Sequence, residues 1–124
     1  MLTSEDPAAH WDLSPDTLRR KIKTGDLHAE RINRRYRLAW PDIWACERGP
    51  LPRGARADRY KLPLLTKHRI AQALNVSPRS VERWIADGMP TRAVFGSVRA
   101  NPRDVADWLE QSLGLTLSAG WWRA

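Results

Sequence analysis

Two groups of cations offer the clearest chemistry in this chain. Arg19, Arg20 and Lys23 form one, and Arg34, Arg35 and Arg37 form the other. A guanidinium presents a planar fork of donors that matches a phosphate or the edge of a guanine, and an ammonium adds a compact point charge. Set close together, such groups suit phosphate clamping combined with base-edge hydrogen bonds. Asp16 and Thr17, just ahead of the first group, could meet a base amino group or a thymine methyl. A sparser second set follows further on: Lys67, Arg79, Ser80, Arg83 and Arg99. Any single exposed arginine also reads as a solvated surface residue or half of a helix-supporting ion pair. The set as a whole points to a polyanion.

Charge supports the same partner class. Lys and Arg outnumber Asp and Glu by 21 to 14, a formal charge of +7 over 124 residues, which favours nucleic acid ahead of a membrane surface. The excess is unevenly placed, because all eight basic residues of 1–46 lie between Arg19 and Arg37.

Other chemistries find no footing. Nucleophile, base and oxyanion donors do not assemble into a pattern, and neither a phosphate-cradling loop nor a paired acidic site is present, so no enzymatic activity is expected. His10, His28 and His68 lack companions at ligand spacing, and the single cysteine, Cys46, excludes a disulfide framework or a thiolate cluster; no metal or cofactor is expected. Cys46 itself reads as a small buried apolar residue. No apolar run approaches a membrane span and the first residues lack a charged-then-apolar signal pattern, which predicts a cytoplasmic, nucleoid-associated protein without a membrane partner.

The elements that must position these cations are legible from their punctuation. Ser14-Pro15-Asp16-Thr17-Leu18-Arg19-Arg20-Lys21-Ile22-Lys23-Thr24-Gly25 has a serine to cap a helix, a proline at its first position and a glycine to end it. Ser77-Pro78-Arg79-Ser80-Val81-Glu82-Arg83-Trp84-Ile85-Ala86-Asp87-Gly88 repeats the design. Leu18 and Ile22, like Val81 and Ile85, stand four apart and anchor one face, leaving the cations on the other. Before the first copy, Leu2-Thr3-Ser4-Glu5-Asp6 predicts a capped helix to His10 or Trp11, joined by Asp12-Leu13 in a helix-turn-helix layout. After Gly25, extended runs around Asn33-Arg34-Arg35 predict a small hairpin or wing, and Pro41-Asp42-Ile43-Trp44-Ala45-Cys46 a closing helix.

The pattern then restarts. At a constant offset of 63, eight of the twenty-four positions from Leu2 to Gly25 recur identically from Leu65 to Gly88, and the conservative pairs fall where caps and core belong. The second wing, from Pro90 to Arg99, is shorter and less basic, and Pro102-Arg103-Asp104-Val105-Ala106-Asp107-Trp108-Leu109 repeats the closing helix. The chain therefore reads as mainly α with small β-hairpin wings, two tandem winged helix-turn-helix domains: residues 1–46, a basic Pro/Gly-rich linker 47–64 serving as a solvated tether, residues 65–113, and an apolar tail 114–124. Trp11, Trp44, Trp84 and Trp108 read as core. Trp121-Trp122 either docks on its own domain or offers a hot-spot surface to a protein partner.

The run 14–20, Gly25-Asp26-Leu27, Arg34-Arg35-Tyr36-Arg37 and Asp42-Ile43 resembles the excisionase-type branch of the MerR-like winged helix-turn-helix domains. The second unit, through residues 77–84 and Gly88-Met89-Pro90, is similar to the same superfamily and to the DNA-binding domain of phage small terminase subunits. The resemblance implies a double-stranded DNA binder whose second helix enters the major groove while the wing lies along the backbone or minor groove. It implies an excisionase-like recombination directionality factor or a transcription regulator of a prokaryotic mobile element or phage, working with an integrase or recombinase or self-associating on DNA. The alternative is a small-terminase-like or assembly protein in which one repeat contacts protein. Full MerR regulators add a long dimerisation helix and an effector domain; these residues show no counterpart, and no small-molecule effector is expected. Glu82 replaces Arg19 in the second copy, making that unit the weaker binder or a reader of a cytosine amino group.

Overall fold

Ser14 and Ser77 cap their helices in the same way. Each sits in extended backbone, and its Oγ accepts the amide N–H three residues on, from Thr17 and Ser80, at 3.2 Å in both cases. Proline follows at the first helical position of α2 (Pro15–Lys23) and of α6 (Pro78–Ala86), where the absent N–H costs no intrahelical bond. Gly25 and Gly88 then turn the chain at φ +84° and +117°, a region open to glycine without steric cost. The computed structural model describes residues 5–49, 51–54 and 56–123; the cap expected at Leu2-Thr3-Ser4 lies outside them.

The described residues form seven α-helices and two small antiparallel sheets, and their order repeats. Helix α1 (Glu5–Trp11), α2, the hairpin β1 (Glu30–Ile32) and β2 (Arg35–Arg37), and α3 (Trp40–Ala45) come first. Helix α5 (Lys67–Leu74), α6, the hairpin β4 (Arg92–Val94) and β5 (Ser97–Arg99), and α7 (Pro102–Leu113) follow in the same sequence. Equivalent residues Asp12 and Asn75 both adopt φ +54° after the first helix, a conformation their short polar side chains tolerate. Between the two series lie the short strand β3 (Glu47–Arg48) and α4 (Arg56–Arg59), and a 3-10 turn (Trp121–Arg123) ends the chain. No described helix is long and apolar enough to cross a membrane.

Both hairpins turn on two left-handed residues, as a two-residue loop between right-twisted strands requires. Asn-Gly is the pair that serves such a turn best, and each hairpin carries half of it. The first has Asn33-Arg34 at φ +51° and +65°, the second Phe95-Gly96 at +49° and +85°.

Two apolar clusters hold the chain. One gathers Ile70, Val81, Met89, Val105, Leu109, Trp121 and Trp122, with Trp84 and Trp108 packed at its edge. The other gathers Trp11, Leu18, Leu27, Leu38, Ile43 and Trp44, together with Leu64 and Val94 from well beyond residue 46. The reading of 47–64 as a solvated tether is corrected here. Strand β3 pairs antiparallel with β4, Glu47 opposite Val94 and Arg48 opposite Ala93, so the sheet runs β3-β4-β5. Leu64 donates its amide to the His10 carbonyl at 2.7 Å, and Trp44 Nε1 donates to the Tyr60 carbonyl at 3.2 Å. Helix α4 is fastened to α7 by Arg59, which bonds Asp104 and Asp107, and by Tyr60 Oη on Asp104 at 2.7 Å. A segment this heavily bonded is structure, whatever its Pro and Gly content.

Candidate nucleic-acid interface

Helix α2 buries Leu18 completely and turns Arg19, Arg20 and Lys23 to solvent. The anchoring face and the cationic face separate because positions four apart stack on one side of a helix. Arg19 Nη1 lies 2.7 Å from Asp16 Oδ1, with side-chain exposures of 50% and 88%. A pair this exposed is worth at most about 1 kcal/mol, so it opens at little cost when another anion arrives. Thr17 is occupied otherwise. Its hydroxyl lies 2.8 Å from Ser14 Oγ, in the cap.

The first hairpin continues this cationic surface. Its register sets Glu30 opposite Arg37, Arg31 opposite Tyr36 and Ile32 opposite Arg35. Side chains alternate between faces, so Tyr36 turns to the core while Glu30, Ile32, Arg35 and Arg37 share the other face. Arg34 and Arg35 are exposed and Arg37 is half-buried. Arg34 occupies the left-handed tip, the furthest point of the loop. Arg31, which the sequence reading passed over, is exposed on the opposite face of the hairpin, across from Tyr36.

The second copy differs. Arg79 and Arg83 are exposed on α6, whereas Ser80 mirrors Thr17 with its hydroxyl 3.1 Å from Ser77 Oγ. Glu82, standing where the first copy has Arg19, lies 3.5 Å from Lys67 Nζ, so these two groups neutralise each other at the surface. Arg99, a DNA contact in the sequence reading, is half-buried and bonded within the fold. Its Nε donates to the Trp11 carbonyl at 2.7 Å and Nη2 reaches the Asp12 carbonyl at 3.4 Å. Burial pulls the Arg99 guanidinium below its ordinary value, against the raising effect of Asp12.

Nor does the second hairpin project freely. Phe95 packs edge-on against Trp11 with ring centroids 5.5 Å apart, and Lys21 of α2 lies 4.9 Å above its ring. Beneath it, Glu47 is fully buried and accepts from Arg92 Nε at 2.5 Å, from Trp11 Nε1 at 2.9 Å and from His10 Nε2 at 3.2 Å. Burial pushes the Glu47 carboxyl up, but the hydrogen bonds from His10 and Trp11 and the charges of His10 and Arg92 outweigh it, leaving the group below its ordinary value. None of Glu47, His10, Arg92, Lys21 or Phe95 stood out in the sequence. The one available signal was Phe95, a bulky residue where the aligned turn has Asn33.

The tail is likewise accounted for by its own fold. Trp121 and Trp122 are each 8% exposed, Trp121 Nε1 donates to the Pro102 carbonyl at 3.3 Å, and Arg69 Nε donates to the Trp122 carbonyl at 3.4 Å. The pair therefore docks on α5 and α7 and offers no free aromatic surface. Cys46 is half-buried, its thiol pushed up to about 11 by burial and by the carboxylates of Glu47, Asp26 and Asp42, so it is a thiol and not a thiolate at neutral pH. Among the described residues no group of three or more His, Cys, Asp or Glu could hold a metal ion. Set against known families, curated proteins and solved structures, the chain matches none.

Proposed function

We propose that this protein binds double-stranded DNA through two winged helix-turn-helix units, α2 with the first hairpin forming the principal reader and α6 the lesser one. The observation that carries the reading is the exposed array of Arg19, Arg20, Lys23, Arg34 and Arg35 on one helix and the hairpin that follows it. Helix α2 has the length and the capped, exposed cationic face to enter a major groove, where an arginine fork discriminates guanine. The hairpin tip, with Arg34 foremost, suits the adjacent phosphates. Arg79 and Arg83 equip α6 for the same task with less charge. In biological terms the reading is an excisionase-like recombination factor or a transcription regulator of a prokaryotic mobile element or phage, partnered on DNA by a recombinase or by further copies of itself. The assembly-protein alternative, in which one repeat contacts protein, would need a surface other than the Trp121-Trp122 pair, whose rings are both buried.

Selection of bound duplexes from a random pool, followed by titration of the recovered site, tests the proposal. Arg20→Ala and Arg83→Ala are each expected to cost about 1–3 kcal/mol and to relax the preference at one position, while Arg34→Ala weakens all sequences alike and lowers the salt dependence. Unchanged affinity and footprint for all three variants would refute it.

A further inference from the structure

Between the two units the chain has the length of a flexible connector, yet the second hairpin is built into the first unit. Val94 is fully buried in the first unit's cluster, and Phe95 at the tip lies against Trp11. Glu47, on the chain leaving the first unit, is bonded to Arg92 on β4 and to His10 and Trp11 on α1, all four side chains buried. Arg99 on β5 bonds the carbonyls of Trp11 and Asp12. Phe95 adopts φ +49°, a left-handed conformation that is an outlier for a bulky residue and that persists because packing of the ring holds it. The hairpin that would be the second wing is therefore the joint between the readers. It touches α2 through Lys21 and continues the chain from α6.

We infer that α2 and α6 act as one rigid two-part reader, so that the DNA site is composite, with two half-sites at a single spacing and a single relative orientation. This rests on the DNA-binding reading above. A flexible tether would let each helix find its half-site over a range of spacings, with a gain set by effective concentration. A joint fixed by a buried carboxylate, an inserted aromatic ring and a shared sheet removes that range. Any other spacing then costs one of the two contacts altogether, because geometry forbids simultaneous engagement.

The test uses the full chain and the duplex recovered from a random pool, rebuilt with one to five base pairs inserted between or deleted from between the half-sites. The expected result is one optimum spacing, with affinity falling on the order of 10²-fold at its neighbours. Phe95→Asn gives the hairpin an Asn-Gly turn while removing the ring from Trp11 and Lys21, and is expected to flatten the spacing profile. Wild-type affinity that stays within about threefold across the series would overturn the inference while leaving DNA binding intact, and so would recovery of a single motif with no second half. No sequence enriched from the pool at all would overturn the DNA-binding reading, and the inference with it. The wild-type series decides the matter even should Phe95→Asn fold poorly.

Discussion

Glu47→Ala is the perturbation that bears most directly on how this molecule is held together. The carboxylate is fully buried, and it accepts hydrogen bonds from Arg92, Trp11 and His10. Its removal takes the Glu47 charge away from the buried Arg92 guanidinium and the acceptor away from Trp11 and His10, a loss of about 3–5 kcal/mol. That is a large part of the roughly 5–15 kcal/mol that stabilises a domain. Glu47→Gln retains the shape and one acceptor but removes the same charge, so it is expected to fall at the lower end of that range, about 3 kcal/mol. By contrast, breaking the exposed Lys67–Glu82 pair by Lys67→Ala should cost no more than about 1 kcal/mol. Urea unfolding of the three variants measures these differences. The same carboxylate gives a pH signature. Its folded value lies below the ordinary 4.5, so its contribution is complete above pH 4.5 and disappears as pH falls through the lower folded value. Stability measured from pH 6 downward should therefore fall less steeply in Glu47→Gln than in the wild type. A loss under 1 kcal/mol in Glu47→Ala, with an unaltered acid limb, would refute the reasoning and show that the remaining contacts of the joint hold it without the carboxylate.

Arg99→Ala should destabilise the chain by about 1.5–3 kcal/mol through lost charged hydrogen bonds while leaving affinity for a selected duplex within a factor of about two per folded molecule, as read by thermal melting and titration together. Trp122→Ala should cost about 3–5 kcal/mol as a large-to-small change in a packed cluster, seen in a denaturant melt; undiminished stability would contradict docking of the tail. Because the Cys46 thiol titrates near 11, a thiol reagent at pH 7.5 should label the native protein far more slowly than the urea-unfolded one, with the rate read directly by absorbance.

The local grammar of this chain is carried by its sequence. Ser-Pro at both helix starts, glycine after both helix ends and a constant offset of 63 predict where α2 and α6 begin and where the chain turns after them, because caps and turns depend on neighbours three or four positions away. The cationic face of α2 follows from the same spacing. Departures from that reading all involve partners dozens of residues apart. Glu47 in a stretch rich in Pro and Gly looks like any solvated carboxylate, and nothing nearby signals that Arg92, 45 residues on, and His10, 37 residues back, will enclose it. Arg99 looks like Arg37, its counterpart in the first hairpin, until the carbonyls of Trp11 and Asp12 claim it. Strand β3 is two residues long, too short for alternation to register, and exists because β4 offers it an edge.

What the sequence determined by itself, then, is two copies of a helix–helix–hairpin–helix unit with unequal charge, since hydrogen bonds within a turn and apolar spacing along a helix are short-range. What only the tertiary structure decided is that the second hairpin is a joint and the connector a built part of the fold. That outcome depends on desolvating a carboxylate, a guanidinium and an aromatic ring together, and no one of these burials is favourable until the others are in place.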